Sequence, residues 1–187
     1  MKSEDLLIGH LNYRNSIETE QDYLKSLAVN GQKPHTMFIG CCDSRVIPEV
    51  LTDSKPGELF VLRNIANRVP SFDEGEESVT SAIIYAIKYL NVQHVVVCGH
   101  TCCGGIEAAK APDTINDPAL KSWVSKVKPS VEANVINSLI NLETYPVVFE
   151  SLSANKIQLH GWIYDIDRIG IDIWDGTHWI PAADITK

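Results

Sequence analysis

Short apolar runs alternate with a segment of helical periodicity in the central part of the chain, and this alternation limits the folds open to it. The runs at 36–39, 59–62 and 95–97 are apolar, with β-branched or aromatic residues in each, as in buried strands. Between the last two, residues 76–90 carry apolar side chains three and four positions apart, as a helix does. This order predicts an α/β fold with a mainly parallel central sheet flanked by helices.

The two ends of the chain have different patterns. Residues 1–30 are polar with spaced apolar positions, which predicts a helical arm of one or two amphipathic helices. Residues 31–187 would form an α/β core that carries the chemistry, and a length of 187 residues suits one domain made of arm and core. Towards the C-terminus an alternating pattern predicts two final strands, the last of them a possible antiparallel edge strand.

The composition argues against several classes of partner and location. A net charge of −8 does not suit nucleic acid, because phosphate binding needs clustered Lys and Arg. No apolar run approaches the ~20 residues of a membrane span, and the acidic N-terminus lacks the apolar core of a signal peptide. The five cysteines include two adjacent pairs, which suit reduced thiols better than a disulfide framework. We therefore expect a cytoplasmic protein with no membrane or nucleic-acid partner.

All five cysteines lie at the ends of two predicted strands. Cys-Cys-Asp-Ser-Arg occupies 41–45, and Cys98 precedes Gly-His-Thr-Cys-Cys-Gly-Gly at 99–105. The carboxyl ends of parallel strands carry the chemistry of such sheets, and zinc prefers thiolate and imidazole ligands. The two motifs predict a zinc site with three protein ligands and one open position, as catalytic zinc sites have.

The residue types alone do not decide which cysteine of each adjacent pair would bind the metal. Neighbouring side chains on a strand point to opposite faces, so each pair should supply one ligand. Cys41 and Cys42 are therefore near-equal alternatives, and so are Cys102 and Cys103. Cys98 lies earlier in its strand and is expected to be a small core residue.

Both motifs resemble the signature of the β-class carbonic anhydrases. Cys-x-Asp-Ser-Arg at 41–45 and Gly-His-x-x-Cys-Gly-Gly at 99–105 carry the resemblance, and residues 56–67 are similar to the segment that connects these motifs in that family. The resemblance implies reversible hydration of carbon dioxide to bicarbonate and a proton, with one Zn²⁺ in each subunit. The zinc ligands that it implies are Cys41, His100 and Cys103.

The resemblance also implies roles for residues around the metal. Arg45 would hold Asp43 in a bidentate pair that keeps the catalytic carboxylate ionised and oriented. The same aspartate can instead become a fourth zinc ligand that closes the site. The residues that the resemblance places at the substrate pocket are Gln32, Phe60, Tyr85, Gly104 and Gly105. In the family the glutamine comes from a partner subunit, which implies a homodimer or larger homo-oligomer embraced by the helical arm.

Two other functions stay open on the motifs alone. Carbonyl sulfide and carbon disulfide are isoelectronic with CO2, so their hydrolysis on the same zinc site is one alternative. A non-catalytic, zinc-stabilised binding or sensing protein is the other, although the Asp43–Arg45 pair favours an enzyme. Some family members also bind regulatory bicarbonate through a tryptophan that Phe38 replaces here, whereas Arg63 and Tyr164 match the rest of that site.

Overall fold

The computed structural model describes residues 2–185, which divide into two compact units that meet in sequence between Lys33 and Pro34. The first unit contains two helices, α1 (Ser3–Ser16) and α2 (Gln21–Asn30), linked by a 3-10 turn. Helix α2 ends where Gly31 adopts a φ of +73°, a backbone conformation that glycine takes without steric cost. The predicted helical arm therefore consists of two helices.

A six-stranded sheet forms the centre of the second unit, in the order β2-β1-β3-β4-β5-β6. Its strands are β1 (Thr36–Cys41), β2 (Leu59–Asn64), β3 (His94–His100), β4 (Gln158–Asp165), β5 (Gly170–Trp174) and β6 (Trp179–Pro181). Strands β1 to β4 are parallel, while β5 and β6 pair in antiparallel fashion. The predicted α/β class, with a mainly parallel sheet and an antiparallel edge strand, is confirmed.

The C-terminal part of the sheet has three strands where the sequence pattern predicts two. The additional strand, β6, has three residues and ends at Pro181, which lacks the N–H that a central strand would need. Its edge position tolerates the proline, and Trp179 pairs with Trp174 at a ring distance of 5.3 Å. A strand of three residues that ends in proline is too short to show the alternation of apolar and polar residues by which a strand is predicted from sequence.

The helices of the second unit flank this sheet. They are α3 (Pro48–Leu51), α4 (Glu77–Ile84), α5 (Gly104–Lys110), α6 (Pro118–Val124), α7 (Val131–Glu143), α8 (Pro146–Ser153) and α9 (Ala182–Ile185). Helix α4 continues as a π-helical turn over Tyr85–Tyr89, where a regular helix is expected from the sequence. Within residues 2–185, no helix has the length and apolar character needed to cross a membrane.

Helix α7 packs directly on β3 and β4. Gly99 permits this close approach, because a Cβ at that position would lie 2.7 Å from Val131 and 2.8 Å from Val135. Val97 of β3 and Leu142 of α7 belong to the same buried core, and burial of each such side chain contributes about 1.5–3 kcal/mol. The helix is thereby fixed against β3, the strand that ends at His100 in the second cysteine motif.

Candidate metal centre

The adjacent strands β1 and β3 bring three side chains together at their carboxyl ends. Cys41 ends β1, His100 ends β3, and Cys103 stands directly before α5. The three residues are buried, their ligand atoms all lie within 4.8 Å of one another, and the two sulfurs are 3.8 Å apart. Two sulfurs bound at ~2.3 Å to a tetrahedral zinc ion would be separated by about 3.8 Å. The spacing of the pair therefore fits zinc.

The imidazole of His100 is oriented as a metal ligand would be. Its Nδ1 lies 2.9 Å from the backbone oxygen of Thr101. Because a carbonyl can only accept, Nδ1 carries the proton and Nε2 holds the lone pair. That Nε2 is buried and has no hydrogen-bond partner among residues 2–185. Metal-bound histidines usually donate their other ring N–H to a carbonyl or carboxylate, so this arrangement also fits the metal.

The two clustered sulfurs favour different protonation states. The hydrogen bond from Cys103 lowers the pKa of Cys41 against the opposing effect of burial, and the backbone N–H groups of Asp43 and Ala66 lower it further. The adjacent Cys41 sulfur, followed by burial, raises the pKa of Cys103. Without a cation the pair therefore favours one thiolate and one shared proton, which a divalent cation would displace on binding.

The structure separates the two cysteines of each adjacent pair. Cys41 and Cys103 are buried in the cluster, whereas Cys42 and Cys102 are exposed. Alternation along β1 explains the first pair, but the second lies beyond β3 in a turn where Cys102 has a φ of +56°. The turn, and not strand alternation, directs Cys103 inwards. Cys98 is buried within β3, as expected, and burial raises its pKa to about 12.

Asp43 lies beside the cluster and is held by Arg45. Its Oδ2 is 3.9 Å from Nε2 of His100. The guanidinium of Arg45 donates to both carboxylate oxygens, and the backbone N–H of Arg45 donates to Oδ1 at 3.0 Å. These hydrogen bonds hold the pKa of Asp43 well below its usual range. The carboxylate is therefore ionised throughout the physiological pH range.

Arg63, at the carboxyl end of β2, holds the backbone of the loop that contains Cys41 and Asp43. Its Nε donates to the backbone oxygen of Cys41 at 2.9 Å, and its Nη2 donates to that of Asp43 at 2.7 Å. The sequence places Arg63 only through its match to a regulatory bicarbonate site. In the structure its guanidinium fixes the backbone that carries Cys41 and Asp43.

A cleft of about 320 Å³ opens beside the cluster. Its polar end is formed by Cys41, Cys42 and Asp43, and its remaining lining is apolar or glycine: Ile65, Gly104, Gly105, Ala108, Leu120 and Val124. The two glycines differ in their surroundings. A Cβ at Gly105 would lie 2.8 Å from the Ile65 side chain and 2.9 Å from that of Ala66, whereas Gly104 faces open space.

The other residues predicted for the substrate pocket are not in that cleft lining. Phe60 and Tyr85 pack against each other with ring centroids 5.9 Å apart, and neither is among the cleft residues. The side chain of Tyr85 is largely exposed, and Gln32 is exposed in the segment after α2. Their place at a substrate pocket stays a prediction that requires a second subunit.

A row of polar side chains on and just beyond α7 is absent from the sequence predictions. Asn134, Ser138, Asn141 and Tyr145 donate hydrogen bonds to backbone carbonyls between Ala66 and Pro70. Their spacing of four, three and four residues is that of a single helix face. Polar residues at this period within an apolar helical segment are the signal that identifies them.

Comparison with known proteins places this site in a family. The family model for carbonic anhydrase matches residues 36–134, which include both cysteine motifs. A carbonic anhydrase from Pseudomonas aeruginosa is 36% identical over 193 aligned residues, with 92% of this chain and 87% of the relative covered.

Solved structures share the fold. The β-carbonic anhydrase CcaA gives a TM-score of 0.89 at 28% identity, over 95% of this chain and 98% of the other. A structure from a study of two tetrameric β-carbonic anhydrases of the ascomycete Sordaria macrospora gives a TM-score of 0.73 at 26% identity, over 92% and 95%. With sequence, fold and family model in agreement, the chain belongs to the β-carbonic anhydrase family.

Proposed function

We propose that this chain is a zinc-dependent carbonic anhydrase that catalyses the reversible hydration of CO2 to bicarbonate and a proton. The observation that carries the proposal is the buried lone pair of His100, which has no partner among residues 2–185 and belongs to the cluster with Cys41 and Cys103. The relative that is 36% identical is named a carbonic anhydrase, which supports the same reaction here.

The donor set of the cluster suits one zinc ion in each subunit. Cys41, His100 and Cys103 would supply three ligands, and tetrahedral zinc leaves a fourth position open. Zinc bound there would supply the Lewis acidity that makes water nucleophilic near neutral pH. Two thiolates neutralise the formal charge of the ion, so it acidifies water less than an ion held by three neutral histidines. Groups of the chain must therefore assist the reacting water.

Asp43 is the group in position to do this. Because Arg45 engages both of its oxygens, the carboxylate is ionised and fixed in orientation. It would accept a hydrogen bond from the reacting water and direct that water towards CO2. The same pairing keeps Asp43 out of the ligand set. We therefore assign an open site to the paired state, and a closed site with Asp43 as fourth ligand to a state in which the pair is broken.

The cleft suits the substrate and the product at its two ends. Its apolar walls, which include Ile65, Leu120 and Val124, suit a small nonpolar molecule such as CO2. The polar end, at Asp43, is where charge develops as bicarbonate forms. The proton released in the reaction leaves to solvent, which the open mouth of the cleft allows.

A homodimer or larger homo-oligomer would complete the site. Leu7, Ile8 and Leu11 of α1 are more than half exposed, which supports an apolar contact between subunits. Phe60 and Tyr85, together with Gln32, would complete the cleft of a neighbouring subunit. The two related enzymes from Sordaria macrospora are tetrameric. The cytoplasm is the compartment that we propose, because all five cysteines are free thiols and suit a reducing environment.

Stopped-flow measurement of CO2 hydration, combined with zinc analysis, tests the proposed function. We expect the wild-type protein to hydrate CO2, and Asp43→Asn to lower kcat/KM by about 100-fold or more with its zinc content unchanged. One zinc per chain without measurable hydration would contradict catalysis and favour a sensing role. A kcat/KM for carbonyl sulfide or carbon disulfide well above that for CO2 would assign a different substrate to the same site.

A further inference from the structure

The segment from Ile65 to Pro70, which follows β2, contains two consecutive residues in strained conformations. Ala66 has a φ of +61° and Asn67 a φ of +44°, and both are buried. Asparagine adopts this left-handed region more readily than other residues do, but alanine seldom adopts it and keeps it only where its surroundings enforce it. Such outliers cluster at functional sites, so what holds this segment bears on the site beside it.

Side chains hold every backbone carbonyl of this segment. From Ile65 to Pro70, the six successive oxygens accept hydrogen bonds from Trp123, Asn134, Ser138, Asn64, Asn141 and Tyr145. The distances run from 2.7 to 2.9 Å, except for the 3.5 Å contact made by Ser138. Four of these six donors belong to the polar row of α7. One helix face therefore fixes the path of the strained backbone.

The strained backbone in turn serves the metal centre. Ala66 belongs to the same buried cluster as Cys41 and Cys103, and its backbone N–H lowers the pKa of the Cys41 thiol. The Ala66 side chain also lies 2.9 Å from the position that a Cβ at Gly105 would take. The segment therefore packs against the helix that follows Cys103. A shift of the Ala66 backbone would therefore disturb the packing around Cys41 and at the start of α5.

We propose that Asn134 is a positioning residue for the metal centre, which acts by holding the carbonyl of Ala66 and so keeps the left-handed backbone of Ala66 in place beside Cys41. Asn134 is 1% exposed, and its Nδ2 donates to the Ala66 oxygen at 2.7 Å. Its Oδ1 accepts from the backbone N–H of Lys128 at 3.2 Å, which fixes the amide in this orientation. The inference rests on the proposed function, because it treats Cys41 as a zinc ligand.

Asn141 provides a matched control on the same helix face. Its Nδ2 donates to the oxygen of Val69 at the same distance of 2.7 Å, but Val69 lies three residues beyond Ala66. Each Asn→Ala change frees one backbone carbonyl, and Asn134→Ala also frees the backbone N–H of Lys128. A purely structural role predicts a loss of stability in both variants with the metal centre unchanged, whereas the positioning role predicts a difference at the metal.

The test compares wild-type protein, Asn134→Ala and Asn141→Ala in two measurements. The first is the rate at which the zinc-loaded protein loses its metal to a chelator. The second is the thiolate-to-metal charge-transfer absorption after cobalt has replaced zinc. We expect Asn134→Ala to lose zinc at least about 10-fold faster and to shift the absorption, because supporting residues of metal ligands have effects of this size. The rate of zinc loss from Asn141→Ala should stay within about twofold of the wild-type rate, because the contact of Asn141 lies outside the residues that support the metal ligands.

A second substitution tests the role of backbone strain. Glycine adopts the left-handed region without steric cost, so Ala66→Gly added to Asn134→Ala should restore most of the zinc retention and the absorption. If Asn134→Ala does not fold, this double variant and Asn134→Ser, which is too short to reach Ala66, replace it in the comparison. Asn134→Ser should then lose zinc faster than the double variant does.

Two outcomes separate this inference from the function on which it rests. A wild-type protein that binds no stoichiometric zinc would contradict the proposed function itself. A wild-type protein with normal zinc content, and Asn134 variants whose zinc loss and cobalt absorption match those of Asn141→Ala, would overturn only the role of Asn134.

Discussion

Arg45 donates hydrogen bonds to both carboxylate oxygens of Asp43, from Nε at 2.9 Å and from Nη2 at 2.8 Å. The same Nη2 donates to the backbone oxygen of Cys102 at 3.1 Å, so one guanidinium links the loop after β1 to the turn after β3. The Arg45 side chain is half exposed, and exposed ion pairs add little to stability. Orientation of Asp43 is therefore the main effect of the pair.

Replacement of Arg45 should reduce activity more than stability. With Arg45→Ala, Asp43 loses both side-chain hydrogen bonds, and we expect kcat/KM for CO2 to fall by about 100-fold, as misoriented catalytic groups do. The free energy of unfolding should stay close to that of the wild-type protein, because exposed ion pairs add little to stability. The control is Arg168→Ala, because Arg168 makes a similar bond to Asp165 at 2.8 Å outside the cleft. Equal losses of activity in the two variants would contradict the assigned role.

The two glycines at the start of α5 should respond differently to the same change. Gly105→Ala forces a Cβ against Ile65 and Ala66, and overpacking of this kind costs about 1–3 kcal/mol of unfolding free energy. It should also displace the segment that contacts Cys41, and so lower zinc retention. Gly104→Ala meets no atom within 4 Å and should be neutral or slightly stabilising. Urea unfolding of both variants measures the difference, and equal stabilities would contradict the packing described.

The histidine pair on β3 and β4 should make stability depend on pH. Nδ1 of His94 lies 3.1 Å from Nε2 of His160, and burial, followed by the charge of His94, lowers the pKa of His160. The unfolded chain then takes up a proton near pH ~6.5, before the folded chain does. The stability from neutral His160 is present above that pH and is lost as pH falls towards the folded pKa.

Urea unfolding at about pH 7.5 and about pH 5.5, on either side of the ordinary histidine pKa, measures this effect. We expect the wild-type protein to lose more unfolding free energy over this interval than His160→Gln does. His10→Gln, at an exposed position of α1, serves as the control and should behave as wild type. An identical loss in wild type and His160→Gln would show that His160 does not contribute.

The sequence predicts the sheet and the positions of the chemistry because both depend on local patterns. The runs that end at Cys41 and Arg63 are apolar throughout, as strands buried on both faces are. His100 ends its strand and Cys103 lies in the turn that follows, at a spacing that a single turn can bring to one ion. The choice between Cys102 and Cys103 cannot come from strand alternation, because it depends on the left-handed turn at Cys102.

Other features depend on contacts that a local pattern does not contain. Asn134 and Ala66 are 68 positions apart in sequence, and only the tertiary packing of α7 shows that one holds the other. The spacing of the polar row on α7 marks a helix face, but it does not identify what that face contacts. Phe60 and Tyr85 are placed at the substrate pocket by family resemblance, and they do not line the cleft beside Cys41, so their place there stays a prediction.

Zinc stoichiometry in four single cysteine variants tests whether Cys41 and Cys103 bind the metal, because each adjacent pair supplies its own control. We expect about one zinc per chain, as for a three-ligand site, in Cys42→Ser and Cys102→Ser. Cys41→Ser and Cys103→Ser should lose most of their zinc in the same purification. Full zinc content in Cys41→Ser or Cys103→Ser, with loss in Cys42→Ser or Cys102→Ser, would contradict the ligand set on which the proposed function depends.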